Sequence, residues 1–248
     1  MKRFRTRLGK DIVCEVAEPS RPSKRGIIFL DGMPTVPSKR AFLDEFARSG
    51  FWVFHPRYRG TWESSGLFLR ESPEEDVYEV LNSVSKGFWD IASNEKVIPE
   101  IKEWSLVGGS FGGPAALLAS RDKRVSRVIA IAPVVDWSEL GHAEPIDWLY
   151  GFVKEAFGEG YRLKKKDWNK LKKGNFYNPI QCVDDIPGEK IWIIQARDDD
   201  SVRFGPVKKF AKKIGAKFTL YKRGGHLGSK VLLHLSRFSR AKDFLKGK

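Results

Sequence analysis

The sequence predicts an α/β fold, in which a mostly parallel sheet carries helices on both of its faces. Strand-like and helical segments alternate along most of the chain. The strand-like runs from Gly26 onward are continuously apolar, as strands buried on both faces are. The length of 248 residues suits one well-buried core, so we expect a single domain over residues 1–248.

The elements follow one another in a regular order. Seven runs are typical of strands: Asp11–Val16, Gly26–Asp31, Phe51–Pro56, Trp104–Gly109, Arg127–Pro133, Lys190–Ala196 and Lys217–Tyr221. Five segments are typical of helices: Ser38–Arg48, Ser72–Ala92, Gly113–Ser120, Arg203–Ile214 and Ser229–Lys246. Because such sheets bind ligands beyond the carboxyl ends of their strands, functional residues are expected where strands end.

Residues 137–179 interrupt this order, because they contain no strand-like run and are rich in aromatic side chains. The length exceeds that of a usual crossover, which predicts a helical, cap-like insertion over the strand ends. Its aromatic side chains, with Trp148 and Phe152 as candidates, would then line an apolar substrate pocket. The alternative is an ordinary crossover whose aromatic residues pack on the sheet.

The chain is strongly basic, with 45 Lys and Arg residues against 31 Asp and Glu residues and a net charge of +14. Clustered basic residues bind polyanions by releasing counterions, whereas many charged and few thermolabile residues are typical of heat-adapted proteins. The basic runs 162–174 and 207–217 have the spacing of solvated faces of amphipathic helices. We therefore favour heat adaptation, as in a thermophile, and expect neither a nucleic-acid nor a membrane partner.

The two cysteines and the N-terminal stretch indicate in which cellular compartment the protein is expected. Cys14 and Cys182 are far apart and lack metal-ligand spacing, which favours two reduced thiols and implies no metal site. No apolar run approaches a membrane span in length, and the basic N-terminal stretch lacks the apolar region of a secretory signal. We expect a cytoplasmic protein, and the sequence leaves its oligomeric state open.

Glycines crowd around one serine where an apolar strand meets a small-residue helix. Gly108, Ser110 and Gly112 form the motif Gly-x-Ser-x-Gly, and Gly109 and Gly113 add to the cluster. Glycine inside regular structure is costly, so the cluster needs a geometric reason. In a nucleophile elbow the serine occupies a strained turn and its neighbours must be small, which predicts that Ser110 is a catalytic nucleophile. The alternative is a tight turn that only lets strand and helix approach.

A serine hydroxyl needs a base, which makes the four histidines of the chain the candidates. His226 is favoured because it follows the last strand in a glycine-rich loop that can bring the ring back over the strand ends. It would act as the general base and then as the general acid. The other three are less well placed: His55 precedes the serine in the chain, His142 lies in the inserted segment, and His234 lies inside a predicted helix.

The histidine in turn needs a carboxylate that fixes its tautomer. The candidates are Asp198, Asp199 and Asp200 after a buried strand and, less favoured, Asp136. The three adjacent acids lie between the serine and the histidine in the chain, an order known for catalytic triads. Periodicity does not choose among them, and at least one is expected to cap the next helix. A magnesium or calcium site is the alternative use of three acids, although adjacent carboxylates rarely converge on one ion.

Acyl transfer also needs hydrogen-bond donors for the oxyanion that develops on the scissile carbonyl. The backbone N–H of Phe111, directly after the serine, is the first candidate. The N–H of Met33, in the loop that follows an early strand, is the second. The alternative for residues 29–34 is a simple Gly-Pro turn.

From about Gly26 to the C-terminus, the chain resembles the α/β-hydrolase superfamily, and within it the catalytic domain of the prolyl oligopeptidase group of serine peptidases. Gly108–Gly113 is similar to that group's elbow, with Phe111 where tyrosine is usual. Pro56–Gly66 is similar to its arginine-glycine loop. The resemblance implies an eight-stranded sheet with an insertion after the sixth strand. Matching Ala196–Val202 to the pattern Gly-x-x-Asp-x-x-Val selects Asp199 as the triad acid.

Two departures limit what the resemblance implies. Asp31 stands where the group usually has the histidine of a His-Gly motif, which weakens the oxyanion assignment. The length also leaves no room for the N-terminal propeller that many of those peptidases carry, so peptide specificity is not implied. Esterases of the superfamily fit equally well.

The sequence therefore predicts a serine hydrolase that cleaves a small ester or a short peptide through an acyl-enzyme on Ser110. His226 would move the proton and Asp199 would orient His226, with no cofactor. Two alternatives stay open. An acyltransferase would use the same triad with an acceptor other than water, and a noncatalytic basic binding protein would use only the scaffold.

Overall fold

The computed structural model describes residues 1–248, and a sheet of eight strands forms its centre. The strands are β1 (Arg3–Leu8), β2 (Ile12–Ala17), β3 (Arg25–Leu30), β4 (Trp52–Pro56), β7 (Glu103–Gly109), β8 (Val125–Ile131), β9 (Ile191–Ala196) and β10 (Lys217–Tyr221), while β5 (Phe88–Trp89) and β6 (Lys96–Val97) form a separate hairpin. The spatial order is β1-β2-β4-β3-β7-β8-β9-β10. Within this sheet only the pairs β1–β2 and β2–β4 are antiparallel, so the prediction of a mostly parallel eight-stranded sheet is confirmed.

Helices cover both faces of the sheet, as the continuously apolar strands require. The helices are α1 (Arg40–Arg48), α2 (Glu74–Val84), α3 (Gly112–Ala119), α4 (Ile146–Phe157), α5 (Lys165–Trp168), α6 (Phe204–Ile214) and α7 (Leu235–Leu245). One apolar cluster joins α1 and α7 to one face, and a larger cluster joins α2, α3 and α6 to the other. None of the helices combines the length and the hydropathy needed to cross a membrane.

Strand β1 was absent from the predicted runs, although its pattern is regular. Phe4, Thr6 and Leu8 are buried, and the arginines between them are exposed. This alternation is the signature of a strand with one solvated face. The strand pairs with β2 and extends the sheet by one antiparallel edge strand.

Two predicted helices are shorter than expected. The helix predicted over Ser72–Ala92 ends at Val84, because Gly87 takes a φ of +80° and leads the chain into β5. The helix predicted over Ser229–Lys246 is divided: a 3₁₀ turn spans Ser229–Leu233, and α7 begins only at Leu235. His234 separates the two in extended conformation and is exposed, so its predicted place inside a helix is wrong.

The segment 137–179 contains α4, α5 and short 3₁₀ turns, and it contributes no strand to the sheet. Two isolated bridges, Thr61 with Tyr161 and Phe68 with Leu163, attach it to the loop after β4. The basic run 162–174 was expected to form one amphipathic helix. It forms instead the short α5 followed by a 3₁₀ turn over Leu171–Lys173.

Candidate active site

Ser110 lies in the turn between β7 and α3, near the middle of the sheet. Its φ is +51°, in the left-handed region that a residue with a Cβ rarely adopts. Three backbone hydrogen bonds hold it there: Ser110 N–H donates to the Ile131 carbonyl at 2.8 Å, and the Ser110 carbonyl accepts from Gly113 N–H at 3.0 Å and Val134 N–H at 3.3 Å. Strain of this kind costs about 1–3 kcal/mol and persists where the surroundings impose the conformation.

The glycines around Ser110 differ in how much space a Cβ would have at each position. A Cβ on Gly108 would lie 2.2 Å from the Gly112 carbonyl oxygen, and one on Gly112 would lie 2.3 Å from the Leu30 carbonyl oxygen. A Cβ on Gly113 would meet Pro133 at 2.4 Å. These approaches join α3 to β7 and β3 backbone against backbone, so no side chain fits. Gly109 differs, because a Cβ there would find its nearest neighbour at 3.9 Å.

His226 and Asp199 form a hydrogen-bonded pair after β10 and β9. His226 Nδ1 lies 2.9 Å from Asp199 Oδ2 and 3.1 Å from Oδ1. The Asp199 side chain is fully buried, whereas that of His226 is 29% exposed. Since a carboxylate can only accept, Nδ1 donates its hydrogen and Nε2 keeps a free lone pair. This is the tautomer that a general base for a hydroxyl requires.

The environment of His226 also sets its basicity. Burial lowers the pKa of the imidazole, but the hydrogen bond that His226 donates to Asp199 and the charges of Asp199 and Glu144 more than offset this effect. The net result is a pKa raised above the ordinary value of a histidine. The imidazolium that forms when a proton is taken up is therefore stabilised in place.

The three adjacent acids have separate tasks. Asp199 faces His226 and also accepts hydrogen bonds from the N–H groups of Ser201 and Val202 at 3.0 and 2.8 Å. Asp198 instead accepts from Gly225 N–H at 3.0 Å and Gly224 N–H at 3.2 Å, so it holds the backbone of the histidine's own loop. Asp200 is exposed and its side chain bonds to nothing. The helix cap expected from one of these acids is not formed, because α6 begins after Arg203 without a side-chain cap.

Ser110 and His226 line the same cavity, which has a volume of about 210 Å³. Met33 lies in its wall, and a second, very small cavity joins Met33, Ser110 and Phe111. The backbone N–H groups of Met33 and Phe111 donate to no acceptor within the protein. Two unpaired donors beside the serine are what an oxyanion hole requires. The assignment of Met33 and Phe111 to an oxyanion hole stays a prediction.

The other candidates lie elsewhere. His142 and His234 are exposed, and Asp136 accepts from Ser138 at the start of a 3₁₀ turn over Trp137–Glu139. His55 is buried, with Nε2 2.8 Å from Asp31 Oδ2 and Nδ1 3.0 Å from an Arg57 nitrogen. Because a guanidinium can only donate, Nδ1 of His55 accepts and its Nε2–H donates to Asp31.

Three solved structures illustrate what the chain is similar to. Esterase Pf2001 from Pyrococcus furiosus aligns with a TM-score of 0.70 and 17% identity over 99% of this chain and 89% of that chain. Alpha/beta hydrolase domain-containing protein 10 from mouse aligns over all of both chains at TM-score 0.67 and 20% identity. Acylaminoacyl peptidase from Pyrococcus horikoshii aligns at TM-score 0.66 and 16% identity over 99% of this chain and 40% of that one. No protein-family profile and no curated protein matches the sequence.

The chain has the α/β-hydrolase fold. The predicted resemblance is thereby confirmed at the level of fold, and the similar structures include an esterase and a peptidase, both hydrolases. In this fold Ser110 follows β7, the fifth strand of the large sheet in chain order, while Asp199 and His226 follow the seventh and eighth.

Within the α/β-hydrolase fold, the segment 137–179 supplies part of the wall beside Ser110, but not through the residues expected. Trp148 and Phe152 stack on each other with ring centroids 5.1 Å apart, are 52% and 39% exposed, and line neither cavity that includes Ser110. Their assignment to the substrate pocket stays a prediction. The segment's contribution to these walls comes from Trp137, Leu140, Glu144 and Leu149.

The network around Asp31 is a feature of the site that the sequence analysis missed. Asp31 precedes the loop that carries Met33, and Lys39 Nζ lies 3.2 Å from its Oδ1. Together with His55, these contacts neutralise and anchor a carboxylate that stands where the resembling peptidases have a histidine. The only signal in the sequence was the position of Asp31 and His55 at the ends of neighbouring strands.

Proposed function

We propose that this protein is a serine hydrolase that cleaves ester or amide bonds through an acyl-enzyme on Ser110. The observation that carries the proposal is the Asp199–His226 pair, whose free Nε2 belongs to a ring lining the same cavity as Ser110 on its strained turn. His226 would take the proton of the hydroxyl as Ser110 attacks the carbonyl carbon. Asp199 would orient the ring and stabilise the imidazolium.

The remaining steps use groups already placed around the cavity. The negative charge on the carbonyl oxygen would be bound by the unpaired N–H groups of Met33 and Phe111. His226 would then return the proton to the leaving alcohol or amine, and water would release the acyl group by the same steps in reverse order. The proton taken from Ser110 thus leaves with the alcohol or amine, and the proton taken from water returns to the Ser110 oxygen as the acid is released.

The size of the cavity favours small substrates. Its volume of about 210 Å³ is below the range of about 300–1,000 Å³ that is usual for drug-sized ligands. We therefore propose small esters or short acyl-amides as substrates, with most of a longer chain left outside the cavity.

Covalent labelling tests the proposal. A fluorophosphonate probe is expected to label the wild type once, at Ser110, and to leave Ser110→Ala unlabelled. A panel of p-nitrophenyl esters and aminoacyl-nitroanilides, compared with the same variant, would then separate esterase from peptidase activity. Labelling or turnover that persists undiminished in Ser110→Ala would refute the assignment of the nucleophile.

A further inference from the structure

Glu144 is an acid without a partner in the wall of the active site. It lies just before α4 and lines both the 210 Å³ cavity and the smaller cavity that adjoins it, each of which includes Ser110. Its side chain is half-buried and makes neither an ion pair nor a hydrogen bond. Its oxygens are not among the buried polar atoms that lack a partner, so this carboxylate stays reachable and free to pair with a cation that enters the cavity.

The other charges of the cavity do not supply that cation. Lys39 is the one lysine in the wall, and its Nζ pairs with Asp31 at 3.2 Å. Asp31 also accepts a hydrogen bond from the buried ring of His55, so this charge pair is internally satisfied. His226 is engaged with Asp199. The carboxylate of Glu144 is therefore the uncompensated charge that the site presents to a ligand.

This local charge opposes the charge of the whole protein. The chain has a net charge of +14, so its surface in general attracts anions. A negative group in the wall of the cavity that includes Ser110 attracts cations instead, at the place where a substrate would bind. Within a cavity with partly apolar walls, water screens the charge less than at the open surface.

We propose that Glu144 recognises a positively charged group on the substrate, so that the preferred substrates are small esters or amides that carry an ammonium group. This inference rests on the proposed serine hydrolase activity and names its substrate class. The cation would lie in the 210 Å³ cavity, on either the acyl side or the leaving-group side of the scissile bond, because the second cavity, of about 10 Å³, is too small for an ammonium group. Glu144 would be a specificity-determining residue and would take no part in bond making.

Isosteric pairs of substrates test the inference. Trimethylammonium and tert-butyl groups have the same shape and differ in charge. One pair, p-nitrophenyl 4-(trimethylammonio)butanoate and 5,5-dimethylhexanoate, carries the difference in the acyl group. The other, the S-2-(trimethylammonio)ethyl and S-3,3-dimethylbutyl thioacetates, carries it in the leaving group. The wild type is expected to prefer the charged member of at least one pair by about 10-fold in kcat/KM, the size expected for a partly screened charge pair.

Variants separate recognition from an effect through the histidine. Glu144→Gln should lower kcat/KM for the charged ester by about 10-fold and leave its neutral partner within about twofold. Glu155→Gln removes an exposed carboxylate of α4 that lines neither cavity, and it should change neither ester. An equal loss for both esters in Glu144→Gln would show that Glu144 acts only through His226.

The result also stays separate from the proposed function. A wild type that prefers the charged member of neither pair, or hydrolyses neither pair, overturns the inference about Glu144. Hydrolysis of p-nitrophenyl acetate that is lost in Ser110→Ala would still support the serine hydrolase. If Ser110→Ala hydrolyses p-nitrophenyl acetate like the wild type, the proposed function itself fails.

Discussion

The two sides of the candidate active site are held in place by different forces. The elbow, Gly108–Gly113, is fixed by backbone packing, since a Cβ on Gly112 would lie 2.3 Å from the Leu30 carbonyl oxygen. The histidine loop, residues 222–228, is mostly exposed, and a Cβ on Gly225 would meet nothing within 4 Å. Two carboxylates hold this loop. Asp198 accepts hydrogen bonds from the backbone of the loop, and Asp199 accepts one from the imidazole of His226.

This difference predicts different sensitivities on the two sides. The closely packed elbow has no room for an added side-chain atom, because its backbone atoms cannot move apart without breaking the sheet. A loop held by carboxylates tolerates volume and depends on the acceptors that remain. Substitutions in the elbow should therefore lower stability, and substitutions of the two carboxylates should lower activity.

Replacing the orienting acid should have the largest effect. Asp199→Asn keeps the shape of the side chain but offers an amide to His226, which favours the wrong tautomer of the ring. We expect kcat for p-nitrophenyl acetate to fall by about 10⁴-fold. The thermal midpoint of the variant serves as the control for folding. A loss of less than about 10-fold would show that His226 is oriented by something else.

Adding one methyl group to the elbow should come next. In Gly112→Ala the new Cβ would lie 2.3 and 2.6 Å from the carbonyl oxygens of Leu30 and Asp31, which are backbone atoms. We expect the free energy of unfolding in urea to fall by more than about 3 kcal/mol. Gly109→Ala is the matched control, with its nearest neighbour at 3.9 Å and an expected change within about 0.5 kcal/mol. Equal effects of the two substitutions would contradict the packing argument.

Releasing the histidine loop should have a moderate effect. Asp198→Ala removes the acceptor of the Gly224 and Gly225 N–H groups and lets the loop carry the ring away from Ser110. We expect kcat to fall about 10-fold with little change in the thermal midpoint. Asp200→Ala, next in the chain and without side-chain bonds, should behave like the wild type. If both variants retained full activity, the loop would not depend on Asp198.

The smallest expected effect concerns the pH dependence. In the proposed mechanism the neutral ring of His226 is the active form, so kcat/KM should rise with pH through a pKa above the ordinary value of about 6.5, in keeping with the raised pKa of this ring. Glu144→Gln removes one of the charges that raise this pKa and should move the rise to lower pH. A rise that moves to higher pH in the variant would contradict the assignment.

The fold and the motif at Ser110 could be predicted because both depend on patterns of residues that are close together in the chain. Continuously apolar runs indicate strands buried on both faces, and glycines at fixed distances from a serine indicate a strained turn. Strand β1 escaped the prediction although its alternation of arginine with Phe4 and Leu8 was readable. The choice among the three acids was not local. It came from a resemblance, and only hydrogen bonds in three dimensions separate Asp198 from Asp199.

The cavity wall could not be predicted, because it depends on how elements far apart in the sequence meet. Trp148 and Phe152 are one turn apart on α4, as Leu149 and Val153 are, and helical spacing alone does not show which pair faces the interior. The helix turns Leu149 and Val153 inward. The contact between Asp31 and His55 likewise forms only when β3 and β4 pair, and nothing in the sequence around either residue indicates it.

Strand β1 has a further consequence for how copies of this protein meet. It is an outer strand, but part of its free edge is already used within the chain: Arg5 N–H donates to Asp90 Oδ1 at 2.8 Å, and the Arg5 carbonyl accepts from Ile91 N–H at 2.7 Å. Arg3, Arg5 and Arg7 line its solvated face. Arg3 pairs with Asp44 and Arg5 pairs with Glu63, so this edge is occupied by contacts within the chain and offers few free backbone groups to a strand of a second copy.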